Sequence, residues 1–251
     1  MGASRGPQLV GKCDEGVCEF TFDPGSGPSG AAVTGAPYSG HQILTSVSDN
    51  GKPYTGLPTG RGQYRDADGR TRMDPMGNSD NGPAGPGLRV PPLVQIDDPV
   101  AGYRYILDPT SQSAYRLKGA FRSFPFQPNP NMGQQAGTRT TPRGDTITIE
   151  NLGPEMVAGV SAVGQRSTDT YPPGTYNNND KTIVMVNERW VDPKTGVVVL
   201  AKNSGPRMNN TDTMSDYKEG DPDPTLFLIP ASYKIVDEIG RFSFSAPAVK
   251  Q

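Results

Sequence analysis

The chain has one histidine, His41, set in Ser39-Gly40-His41-Gln42. General-base catalysis through it would need a nucleophile and an orienting acid within hydrogen-bond reach. No segment reads as a strand–turn–helix nucleophile elbow, so His41 is expected to be a polar strand or surface residue. Asp66, Asp68, Gly69 and Asp74 (DADGRTRMD) outline a calcium loop. Such a loop needs a third ligand ahead of the glycine and a distant bidentate Glu, and Arg70 and Arg72 bring the wrong charge. A tight Asp-Gly hairpin turn explains the same residues. Glu219, Asp221 and Asp223 are interrupted by Pro222 and Pro224 and read as a solvated turn. Gly25–Gly30 is followed neither by a helix nor by Gly-Lys-Ser/Thr, which leaves no phosphate cradle. Cys13 and Cys18 (CDEGVC) could close a small disulfide loop in an oxidising compartment. A zinc site would need two further ligands, and one histidine is too few. The expectation is no catalytic set, no cofactor site and no metal site.

The elements that must position any site are strands. Two strand–turn–strand units are written around Asp-Pro: Tyr103–Leu117 (YRYILDPTSQSAYRL) and Asn187–Lys202 (NERWVDPKTGVVVLAK). A shorter relative is Gln63–Asp74. In Asp192-Pro193-Lys194-Thr195-Gly196, the proline presets φ, the aspartate accepts from turn amides, and the glycine supplies the left-handed residue. Asp108-Pro109-Thr110-Ser111 lacks that glycine, which predicts a longer or looser turn. Alternation places Tyr103, Tyr105 and Leu107 on one face, with Arg104 and Ile106 on the other. Val184, Val186 and Trp190 share a face that Glu188 interrupts, and Pro224–Phe227 forms one compact turn. Trp190, Tyr103, Tyr105, Tyr115, Phe227 and Tyr233 read first as core or cross-strand partners. No segment sustains a 3.6-residue apolar period over three turns. The fold class is therefore mainly β: a curved antiparallel sheet or half-open β-barrel, with long Pro/Gly-rich loops and little helix.

Composition agrees, because 31 Gly and 26 Pro punctuate strands and break helices. A net charge of −2 argues against a nucleic-acid partner, which would favour a basic face. No apolar run approaches the roughly 18 residues of a transmembrane segment. The opening MGASRGPQLVGK lacks the apolar centre of a signal peptide. Either the protein is cytosolic, or a leader has been removed or was never part of this chain. Residues 1–35 read as a partly extended leader or linker, and residues 36–251 as a single antiparallel β domain.

In sequence, YILDPTSQSAYRL, ERWVDPKTGVVVLAK and DPDPTLFLIPASYKIV occur in an order that resembles a known pattern. It is similar to the C-terminal half of the periplasmic lipoprotein-carrier and outer-membrane lipoprotein-sorting superfamily. Matching residues are Trp190, Asp192, Thr195, Gly196, Asp223, Leu226, Phe227 and Pro230. The front part, with YRDADGRTRMDP and DPVAGYRYILDP, is similar to a group of uncharacterised secreted bacterial proteins. The resemblance covers roughly residues 36–240. It implies a half-open barrel, located in the periplasm or secreted, with a concave apolar face. Tyr103, Tyr105, Leu107, Val184, Val186 and Trp190 are the candidate ligand-facing positions. The carriers close that face with helices, and this chain has no amphipathic helix to do so.

Two functions from different classes follow. The first is an exported, non-enzymatic protein binding a lipid, lipoprotein or other apolar ligand on the curved sheet. The second is a cell-envelope structural or adhesion protein that assembles through sheet edges and extended arms, homo-oligomers included.

Overall fold

A computed structural model of the protein describes residues 8–14, 16–24, 30–48, 60–75, 88–89, 91–128, 135–206 and 208–250. Its strands in chain order begin with β1 (Gln8–Asp14), β2 (Val17–Asp23), β3 (Gly30–Thr34), β4 (Tyr38–Ser48), β5 (Arg61–Arg65) and β6 (Thr71–Asp74). Next come β7 (Leu88–Arg89), β8 (Val94–Asp98), β9 (Tyr103–Asp108), β10 (Ser113–Lys118), β11 (Phe121–Pro125), β12 (Gly137–Thr140) and β13 (Thr146–Val157). The remainder are β14 (Val160–Tyr171), β15 (Ile183–Val191), β16 (Val198–Ser204), β17 (Met208–Glu219), β18 (Lys234–Glu238), β19 (Phe242–Pro247) and β20 (Val249–Lys250). Strands account for 63% of the protein, and the sheets are not closed into a barrel. The only helical element among the described residues is a 3-10 turn at Pro224–Phe227, started by Asp223 accepting from the Thr225 amide. This is the mainly β, helix-poor class that the turn chemistry predicts.

The chain divides into two compact units where the sequence reads as one domain behind a leader. The first gathers Met1–Gly40, Gly56–Phe126 and Lys218–Gln251; the second gathers His41–Thr55 and Gln127–Tyr217. Each is assembled from segments far apart in the chain: the boundaries at 55/56 and 126/127 fall in polar, Pro/Gly-rich stretches, whereas those at 40/41 and 217/218 fall inside β4 and β17.

In the first unit the sheet runs β5-β6-β8-β9-β10-β18, antiparallel except for the parallel pair β10–β18. Where the sequence suggests a leader with one edge strand, β1 and β2 form a hairpin and β2 pairs with β19. The cause lies in the alternation of β2. Cys18, Phe20 and Phe22 are buried, and they pack with Phe242, Phe244, Ile106 and Leu117. The Phe20 and Phe244 rings stack at 5.2 Å. Strand β9 is buried on both sides. Ile106 faces that aromatic cluster, while Leu107 joins Val94, Ile96, Ala114 and Phe227 in a second one.

The second unit is an antiparallel meander, β12-β13-β14-β15-β16-β17, with β4 beside β17. Its interior includes Ile149, Ala162, Trp190, Val199, Met214 and Tyr217. The hairpin between β15 and β16 is tied down by Asp192, which is 1% exposed. Asp192 accepts from the Lys194 amide, the Thr195 hydroxyl (2.7 Å) and the Tyr217 hydroxyl (2.7 Å). Gly196 takes the left-handed position, φ 73°, that the sequence assigns to it.

Candidate functional site

Each sequence-selected position has a definite place. Tyr103, Tyr105 and Leu107 lie on β9 in the first unit, and Val184, Val186 and Trp190 on β15 in the second. Leu107 is packed inside a core cluster, with Tyr105 against its edge. The Tyr103 ring lies under the Arg116 guanidinium at 5.0 Å. Arg104, on the face opposite Tyr103 as the alternation predicts, is buried, held by two hydrogen bonds to Asp97 and lying 5.8 Å from the Phe22 ring. On β15, Val184 is exposed and Val186 half-buried. Glu188 pairs with Arg166 at 2.6 Å, and Trp190 covers Gly164 on β14 so closely that a Cβ there would sit 2.5 Å from the ring. None of the six lines the cavity described below.

Cys13 and Cys18 face one another across the β1–β2 hairpin and are joined by a disulfide, with Cys18 fully buried. His41 lies on β4 with Nδ1 3.8 Å from Asp216, and its carbonyl accepts from the Ser215 hydroxyl. Asp66 accepts from the Arg70 amide and guanidinium, so an arginine fills the space that a cation would take in a calcium loop. Asp221 accepts from the Ala67 amide and Asp223 caps the 3-10 turn, which makes these acids structural fasteners. Among the described residues no three His, Cys, Asp or Glu side chains converge as metal ligands, and no helix is long and apolar enough to cross a membrane.

The sequence-based reading passed over the cavity. It lies within the second unit, has a volume of about 340 Å³, and its wall is more apolar than polar. Its floor is the other face of β15, where Ile183, Met185 and Asn187 alternate with the valines. Asn203 and Ser204 at the end of β16, followed by Gly205 and Pro206, form one side. Tyr176, Asn177 and Asn179, from the loop between β14 and β15, form the other.

That loop, Pro172-Pro173-Gly174-Thr175-Tyr176-Asn177-Asn178-Asn179-Asp180, owes its shape to asparagine chemistry. Asn177 and Asn178 take left-handed conformations at φ 50° and 54°, which asparagine tolerates better than most residues. The Asn179 carboxamide donates to the carbonyls of Lys181 (2.7 Å) and Pro172 (2.9 Å) and accepts from the Tyr176 amide (2.9 Å). The Tyr176 ring packs on Tyr171 at 4.8 Å. Burial first, then the nearby charges of Asp169 and Asp145, push the Tyr171 phenol above its ordinary pKa, so it is neutral at physiological pH. Among the described residues, Tyr176 is the only ionisable side chain in the wall. A sequence signal existed in the Pro/Gly/Asn-rich loop joining two long strands, since such loops carry function more often than the strands do.

No protein-family model matches the chain, and no curated protein matches it. Among solved structures it is similar to the crystal structure of the Mycobacterium tuberculosis lipoprotein LppX. The identity is 13%, over 74% of this chain and 87% of that one, and the TM-score is 0.28. At that score the likeness carries no argument about function.

Proposed function

We propose that this is an exported binding protein, without catalytic activity, that holds the apolar part of a lipid-like or otherwise amphipathic ligand in the second-unit cavity. The observation that carries the reading is the wall itself: Tyr176, Ile183, Met185 and Pro206 offer apolar surface, ringed by asparagines, with no charged side chain among the described residues. Its volume of about 340 Å³ falls within the span of small-molecule sites. Export is supported by the Cys13–Cys18 disulfide, a linkage that persists in oxidising compartments. A non-catalytic role is supported by a wall that, among its described residues, holds no His, Asp, Glu, Lys or Cys.

The test is titration of the purified full chain with a neutral apolar fluorophore such as N-phenylnaphthylamine. One probe per chain is expected. Met185→Lys, at a half-buried position, should weaken binding about tenfold or more by placing a charge against the apolar moiety, with folding retained. Unchanged affinity in both Met185→Lys and Ile183→Asp would refute this site.

One observation favours a second reading, assembly through a sheet edge. β12 ends the strand order and all four of its residues are exposed. Concentration-dependent oligomers that Thr138→Pro abolishes would select it.

A further inference from the structure

From the pattern of hydrogen-bonding groups beside the cavity, we infer that the head of the ligand is neutral and hydroxyl-bearing, a polyol or sugar ring. The inference rests on the binding reading above and concerns the polar end of the same site.

The register places Asn187 on β15 opposite Asn203 on β16, and Asn203 opposite Asn210 on β17. Directly opposite residues in antiparallel strands share a face, so three carboxamides form a row with a spacing of about 4.8 Å per strand. Asn187 and Asn203 line the cavity. Asn210 continues the row but does not line the cavity. Each carboxamide has two N–H donors and a carbonyl acceptor. The two cavity-lining carboxamides thus ask for a ligand that gives and takes hydrogen bonds.

Three head types answer differently. A hydroxylated ring both donates and accepts. A sulfate or phosphate only accepts, which leaves the carbonyl oxygens of Asn187 and Asn203 without a donor. A trimethylammonium head neither donates nor accepts, so it leaves the whole row unsatisfied. One hydrogen bond of this kind is worth about tenfold in affinity.

The experiment compares octyl glucoside, octyl sulfate and octyltrimethylammonium, below their aggregation concentrations, against the full chain. Calorimetry gives affinity, and the methyl resonance of Met185 reports whether the alkyl chain enters the cavity. Octyl glucoside should bind at least about tenfold tighter than either charged analogue. Asn187→Leu should erase that preference while the Met185 shift persists. Asn203→Ala, at an exposed position, is the second variant should Asn187→Leu unfold, and it should reduce the preference in the same direction. Equal binding of all three overturns the inference and leaves the apolar site standing. Preference for the sulfate or the ammonium also overturns it. Failure of all three to move Met185 overturns both the head assignment and the site.

Discussion

The loop that carries Tyr176 to the cavity should depend on one side chain, Asn179. Its two N–H groups are satisfied by Lys181 O at 2.7 Å and Pro172 O at 2.9 Å, with Tyr171 O a weaker third partner at 3.3 Å. Its carbonyl accepts from Tyr176 N at 2.9 Å. Replacement by alanine removes three well-formed bonds but keeps two backbone bonds, Gly174 N to Asn179 O and Asn179 N to Tyr176 O. At about 1 kcal/mol net for each bond, the closed loop loses about 3 kcal/mol relative to its open forms. Opening should then rise about 100-fold. The assay is native-state hydrogen exchange at the Tyr176 amide, together with probe affinity for the cavity. Asn179→Asp retains the acceptor for Tyr176 N–H but sets a carboxylate against backbone carbonyls, so its amide should exchange at a rate between wild type and Asn179→Ala. The global unfolding midpoint should barely move, because the strands beneath keep their ladders. Unchanged Tyr176 exchange in Asn179→Ala would show that the backbone alone holds the loop, and would refute the reasoning.

Further predictions concern the supports of the site. Tyr217→Phe removes one of three donors to buried Asp192 and should cost about 1–3 kcal/mol in urea unfolding, whereas removal of an exposed tyrosine hydroxyl should cost nothing measurable. Gly164→Val puts a side chain where the Trp190 ring lies; the cost should be about 1–3 kcal/mol, with a red shift in the emission of this single tryptophan. In the first unit, the hydrogen bond from Arg116 holds the Asp237 carboxyl below its ordinary pKa of 3.8. A lowered folded-state pKa stabilises above the ordinary value and is lost as pH falls through the folded one, so the β10–β18 pairing should loosen only in that acid range. Carboxyl NMR should show Asp237 titrating low in the native protein and returning upward in Arg116→Met.

Local chemistry was legible in the sequence, and distant pairing was not. Asp192, Pro193 and Gly196 act within five residues, so their turn follows from their types alone. The companion turn, expected to be longer or looser, is not longer: four residues separate β9 from β10, against six between β15 and β16. There Gln112 takes the left-handed position, φ 51°, that a glycine fills elsewhere. Pairing of β2 with β19 joins Thr21 to Ser243, and no local pattern announces a partner at such separation. Arg104 shows the same limit: alternation places it opposite Tyr103, but the carboxylate that holds it inside, Asp97, is brought across from it only by β8. The cavity escaped because its floor looks mixed in sequence: Ile183, Met185 and Asn187 form a weaker apolar stripe than Val184, Val186 and Trp190.

That contrast has a physical logic in β15. Successive side chains of a strand point to opposite faces, so one strand can meet two different demands at once. Its even-numbered face is occupied by stabilising contacts: Glu188 pairs with Arg166, and Trp190 fills the space above Gly164. The odd-numbered face keeps Met185 and Asn187 at the cavity wall. A row of groups left available for a ligand gives up internal bonding, and something else must hold the strands in register. The contacts of the even face and the Asp192 turn do this from positions that never touch the cavity. Substitutions at Trp190 or Gly164 should therefore lower stability before they lower affinity. Substitutions at Met185, Asn187 or Asn203 should change ligand binding with little effect on unfolding. Because the two sets meet on β15, where Trp190 covers Gly164 from one face and Asn187 meets the cavity from the other, the pair Gly164→Val and Asn187→Ala separates the effects.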